Sequence, residues 1–150
     1  MLNNSILHRV TKVLVDIMFY CGIICVISVP FIATLIKNFY GYNDRILIWL
    51  TTMLFLSGVC AVYILFNLKQ MFRTLIGGNP FVDKNIDSFR RMAIACAFIA
   101  IIYIIKCFIL FSWATLIIVI VFIIGTLFCL TLKDIFRQAI YYKEENDWTV

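Results

Sequence analysis

An enzyme shows itself in sequence as a nucleophile and a base that can face each other, and a metal protein as three or four His, Cys, Asp or Glu side chains at ligand spacing. In these 150 residues the material for either is thin. His8 is the single histidine and stands near the N-terminus, and neither H-E-x-x-H nor G-x-S-x-G occurs. The six cysteines, Cys21, Cys25, Cys60, Cys96, Cys107 and Cys129, fall inside apolar stretches with no C-x-x-C pair. A thiol in such a place behaves as a small hydrophobe, and Cys21 and Cys25 share a helix face at i, i+4 as packing residues. Neither a zinc site nor a disulfide framework is expected. Asp16, at the edge of an apolar run, is expected to pair with Lys12 four residues earlier. The expectation is of no catalytic group, no cofactor and no metal: this is not an enzyme.

One charge stands apart. Lys106 is the sole Lys, Arg, Asp or Glu between Met92 and Leu132. An ammonium within an apolar run is either a functional charge or a side chain whose long stem carries it to the headgroups. Acidic residues at mid-depth, which an ion-coupled transporter needs, are missing from all the apolar runs.

The elements that hold these residues are set by composition. The chain is 64% hydrophobic and 14% charged, with a mean hydropathy of +1.03. A soluble domain is about one quarter charged, so lipid must solvate most of this surface. The net charge of +5 lies at the ends of apolar runs and forms no single basic stripe, so direct nucleic-acid binding is not expected. There is room for several spans of about 20 residues, and none for a separate soluble domain.

The run from Ile17 to Ile36 is uncharged and rises about 30 Å as a helix, the thickness of a bilayer core. With its flank it forms a first span at 14–36. Its N-terminal flank resembles a signal peptide, but the apolar run is too long and lacks a small-residue cleavage site, so it is read as an anchor. Pro30 predicts a kink. A second span covers 46–68, after a link whose Phe39, Tyr40 and Tyr42 suit the headgroup level. The longest polar stretch, 69–91, surrounds a Gly77-Gly78-Asn79-Pro80 turn, with Asp83 as a helix N-cap and a short surface helix leading into span three. From Met92 to Leu132 one helix would be about 60 Å long, twice the core thickness, so the chain must fold back. Ser112-Trp113-Ala114-Thr115 is the least apolar point and is assigned the turn, giving spans at 92–111 and 115–132 and a cytoplasmic tail at 133–150, whose acidic end from Lys143 is read as solvated in preference to a contact for a basic partner. The fold class is all-α, with residues 1–150 forming a single four-helix transmembrane domain of two hairpins.

Lys and Arg near span ends set orientation. Ten of them (Arg9, Lys12, Lys69, Arg73, Lys84, Arg90, Arg91, Lys133, Arg137 and Lys143) fall on one side, and only Lys37 and Arg45 on the other. Both termini and the long loop are therefore expected in the cytoplasm, with the chain multi-pass in the membrane. Spans two and four leave the bilayer through Leu68-Lys69-Gln70-Met71-Phe72-Arg73-Thr74-Leu75-Ile76 and Leu132-Lys133-Asp134-Ile135-Phe136-Arg137-Gln138-Ala139-Ile140. This shared L-K-x-[MI]-F-R-x-x-I pattern suggests a parallel repeat, each copy carrying its helix past the membrane. Nearly all non-lipid chemistry lies on that side, so Lys69, Arg73, Asn79, Pro80, Phe81, Arg90, Arg91, Lys133 and Arg137 are the candidate contacts for a partner or for lipid headgroups, with Lys106 the candidate intramembrane polar residue.

Gly78-Asn79-Pro80-Phe81 followed by Asn85, Arg90 and Arg91, together with the closing Glu145-Asn146-Asp147-Trp148-Thr149-Val150, resembles a family of small bacterial four-span membrane proteins catalogued as domain of unknown function 2975. The resemblance covers nearly the whole length and departs from the pattern at Val82 and Trp148. It implies a bacterial inner membrane as the location, and no activity. It does imply a partner, because such proteins are often encoded beside a small helix-turn-helix regulator of the Cro/C1 type. The leading expectation is a regulatory or interaction component working with such a regulator, with the bilayer and a second copy of the chain as further partners. A small transport or bacteriocin-immunity protein is the alternative.

Overall fold

Each apolar run of the sequence becomes the middle of a helix that overshoots it at one or both ends. The computed structural model describes the backbone at 2–40, 43–76 and 82–148, and the side chains of those stretches except at 2–5, 7, 8, 39, 40, 75, 147 and 148. Four helices account for nearly all of it: α1 (Leu2–Tyr40), α2 (Asp44–Ile76), α3 (Asp83–Ile109) and α4 (Trp113–Trp148). All four are long and apolar enough to cross a bilayer, and the described residues hold no strand. Phe31, Phe108 and Trp113 are 69%, 89% and 74% exposed. Apolar surface on that scale is stable only against lipid, so the chain is a multi-pass membrane protein.

Consecutive helices run antiparallel. Lys37 meets Asp44 at 3.1 Å where α1 gives way to α2, Thr74 meets Asn85 at 2.9 Å between α2 and α3, and Phe89 meets Phe136 with ring centroids 5.0 Å apart between α3 and α4. The starts of α1 and α3 and the finishes of α2 and α4 thus share one end of the bundle, the terminal end. The other, hairpin end carries the turn at 110–112. Packing is sequential: α1 on α2, α2 on α3, α3 on α4. The Cα atoms of α1 come within 8 Å of α2 and of no other helix, so the two hairpins adjoin through α2 and α3 and leave the space between α1 and α4 open.

In α3, 39% of the most apolar stretch is buried, against 0% in α1. The buried positions Asn85, Phe89, Met92, Cys96 and Ile99 recur at three and four residues, the stripe that a helix needs to face two neighbours at once. That stripe runs unbroken from the polar stretch into the span, which corrects the expectation of a separate surface helix: 83–109 is one helix about 40 Å long. Its N-cap is Val82, with no side-chain bond, and Asp83 lies inside the first turn, where its charge favours the helix dipole without capping. The turn after α3 lies at 110–112, and α4 already begins at Trp113, slightly earlier than the least apolar point suggests. The helix expected to run past the membrane after 132 does so and goes further: α4 continues through the acidic segment to Trp148.

The α1 helix passes Pro30 without a break. Proline leaves the carbonyl of Val26 without its amide donor. Gly58 of α2 stands opposite Val26, and a methyl group on that glycine would lie 2.8 Å from the valine side chain. The close approach that Gly58 permits is the packing device of membrane helices, and it falls where α1 is weakest.

Candidate functional site

Toward the terminal ends of α3 and α4, alongside the Phe89–Phe136 contact, the two helices line an open cleft of about 660 Å³. Helical spacing explains its lining. Asp83, Asp87 and Arg90 recur at i, i+4 and i+7 on α3, and Lys133, Arg137, Tyr141 and Glu144 at i, i+4, i+8 and i+11 on α4, so each set forms one face. Ile86 and Ile140 supply the apolar part of the wall. Among the described residues, no ion pair engages Asp83, Asp87, Arg90, Arg137 or Glu144. Lys133 approaches its neighbour Asp134 at 3.6 Å. Cations and carboxylates thus line one concave surface with both signs still available, an arrangement that matches a polar protein surface better than a single small ion.

Of the residues picked from sequence, Arg90, Lys133 and Arg137 come together here. Arg91 is exposed and lies outside the lining, and Arg73 is exposed on α2. Asn79, Pro80 and Phe81 lie outside the described residues. Lys69 has another task. Its Nζ meets Asp16 at 3.1 Å and stands 5.2 Å and 5.0 Å from the ring centroids of Phe19 and Tyr20. Asp16 therefore pairs across the α1–α2 interface and not with Lys12, because antiparallel packing brings the end of α2 beside it. Asp16 Oδ1 has no solvent contact, so the ammonium supplies its charge compensation.

The two copies of the L-K-x-[MI]-F-R pattern do different work. In α2, Lys69 ties α1 down, Met71 packs on the core cluster of Met92, Ala93 and Cys129, and Thr74 bonds Asn85. In α4, Phe136 holds α3 while Lys133 and Arg137 face the cleft.

A second group of polar side chains lies nearer the hairpin end. The Ser57 hydroxyl donates to the Leu54 carbonyl at 3.0 Å, which leaves the Tyr103 hydroxyl as donor across to Ser57 at 3.4 Å. One turn on, Lys106 Nζ donates to Thr115 Oγ1 at 3.2 Å and stands 5.7 Å from the Tyr103 ring centroid. Apart from this group and toward the terminal end of α2, Asn67 is 1% exposed and donates to the Tyr63 carbonyl at 2.8 Å. Among the described residues, no three His, Cys, Asp or Glu side chains gather as a metal site.

Sequence reasoning missed Asp83, Asp87, Tyr141 and Glu144 as cleft residues, although their spacing carried the signal. It also missed Ser57 and Tyr103, whose partnership depends on which helices adjoin. No curated protein and no solved structure matches the chain. A family model does, over residues 8–150, nearly the entire length. With four spans and that match, the chain belongs to the family described as proteins of unknown function, DUF2975.

Proposed function

We propose that this protein is a non-enzymatic membrane component that holds a small cytoplasmic protein against the bilayer through the cleft between α3 and α4. The observation that carries this reading is the cleft itself, with unengaged charges of both signs on two helix faces held by Phe89 and Phe136. The terminal end is assigned to the cytoplasm because ten Lys and Arg residues lie there and two at the hairpin end. The partner suggested by the family resemblance is a small helix-turn-helix regulator, and membrane capture would regulate it by position. The alternative, a transport or immunity protein with a pore between the hairpins, has less support. The space between them is lined mainly by apolar side chains, with Ser28, Ser57 and Tyr103 but no charged group among them, and Lys106 stands beyond it, bonded to Thr115.

Affinity purification of the tagged protein from native membranes tests the proposal. A small cytoplasmic DNA-binding protein, identified by mass spectrometry, should co-purify with wild type. Its recovery should fall about tenfold or more when Arg90 and Arg137 are both replaced by Glu, since like charges brought together at an interface cost several kcal/mol. Arg91→Glu, outside the lining, should leave recovery near wild type. No co-purifying cytoplasmic protein, or equal loss with Arg91→Glu, would sink the idea.

A further inference from the structure

Because α1 packs on α2 alone, a groove of about 560 Å³ opens between α1 and α4, floored by α2 and α3. Val26, Val29, Ala61, Ile99 and Phe122 line it, and at its floor Tyr103 meets Ser57. A second apolar space of about 310 Å³, between α1 and α2, shares Val29, Ile32 and Leu54 with it and extends it toward the hairpin end. Inside a bilayer such a groove does not hold water. It takes something apolar.

Lys106 says what that is. It lies three residues beyond Tyr103 on α3, a rise of about 4.5 Å toward the hairpin end. Its side chain is partly buried, and one of its three N–H donors goes to Thr115, itself 1% exposed. No carboxylate among the described residues lies within 4.0 Å of the ammonium. A cation at this depth is costly without a counter-charge, and the nearest source of one is the headgroup layer of the hairpin-end leaflet. A phospholipid there has its phosphate at the hairpin end and its acyl chains pointing toward the terminal end, the same order in which Lys106 and the groove are stacked.

We infer that the groove and Lys106 together form a binding site for one anionic phospholipid, the acyl chain lying along the groove between α1 and α4 and the phosphate on the Lys106 ammonium. The lipid completes the face that α1 leaves open and neutralises the one intramembrane charge. A zwitterionic phospholipid fits the groove equally but brings its own cation to the headgroup.

Native mass spectrometry of the full chain released from nanodiscs of equimolar phosphatidylglycerol and phosphatidylcholine tests this. The first retained lipid should favour phosphatidylglycerol about fivefold in wild type and in Lys106→Arg, the order expected for one Lys at an anionic lipid surface. In Lys106→Met, which keeps the length of the stem, the preference should fall to near unity while a lipid is still retained. Ala61→Phe, which fills the groove, should cut retention of both lipids. Basic residues at the terminal end also attract anionic lipid, so an unchanged preference in Lys106→Met would place any selectivity there and overturn the site. Equal retention of the two lipids by wild type would overturn it as well, as would wild-type retention by an Ala61→Phe variant of wild-type helicity.

Discussion

Removing Lys69 should destabilise the bundle more than removing Asp16, and the two losses should not add. At 3.1 Å the gross attraction is about 5 kcal/mol for an effective dielectric of about 20. The side chains keep 32% and 30% of their exposure, so water and headgroups reclaim much of that. The pair falls between exposed bridges, worth about 1 kcal/mol at most, and buried ones, whose truncation costs about 3–5 kcal/mol. A coupling of about 1–2 kcal/mol follows. Lys69→Met strands the solvent-inaccessible Asp16 Oδ1 and gives up the cation's contacts with Phe19 and Tyr20, so it should cost about 2–3 kcal/mol, against about 1 for Asp16→Asn. Unfolding of the purified protein by SDS in mixed micelles, followed by tryptophan fluorescence, measures each variant and the double mutant. Parallel cycles of Asp16 with Lys12→Met should give a coupling near zero. If Lys12 couples to Asp16 as strongly as Lys69 does, or if neither couples, the cross-helix pairing is wrong.

Other expectations follow from single contacts. Gly58→Val should lower stability by about 1–3 kcal/mol in the same assay, since its Cβ would meet Val26 at 2.8 Å, whereas Gly125→Ala, whose Cβ would lie 3.8 Å from Cys96 Sγ, should be nearly neutral. Phe136→Ala should cost about 2–4 kcal/mol through its lost ring contact with Phe89, and should reduce partner recovery even in detergents where the protein stays helical. Thr74→Val removes a hydroxyl that bonds Asn85, itself 2% exposed, and should cost about 1–2 kcal/mol. Sidedness is open to cysteine labelling in a background without the native thiols: Glu144→Cys should react with an impermeant maleimide only after permeabilisation, and Asn43→Cys in intact cells. The reverse pattern would invert the topology.

Much of the fold was legible because lipid imposes a simple rule on the chain: apolar runs of bilayer length must be helices, and a run of twice that length must turn. That rule finds four spans and their hairpins, and places the turn between α3 and α4 to within a few residues. It is blind to where a helix continues in water. The pattern at 132–140 signalled helix past the bilayer, but the acidic segment from Lys143 reads as a solvated tail and α4 carries it on as far as Trp148, while the amphipathic start of α3 is continuous with its span. Partner choice is the second gap. Asp16 has a suitable Lys12 on its own helix, and only the α1–α2 register shows that Lys69 reaches it. Ser57 and Tyr103 lie 46 residues apart, and nothing in either segment says that α2 and α3 adjoin. The cleft was half visible, since Arg90, Lys133 and Arg137 were marked by charge while Asp83 was read as a helix N-cap and Glu144 as part of a solvated tail.

A cytoplasmic protein held as proposed in the cleft between α3 and α4 would lie within reach of Tyr141. Photocrosslinking in living cells from a benzoylphenylalanine placed at Tyr141, which lines the cleft, tests it without detergent. The proposal predicts one discrete adduct, containing a small helix-turn-helix protein, that weakens when Arg90 and Arg137 are reversed to Glu and persists with Arg91→Glu. Adducts to lipid alone, or a protein adduct indifferent to those two arginines, would contradict it.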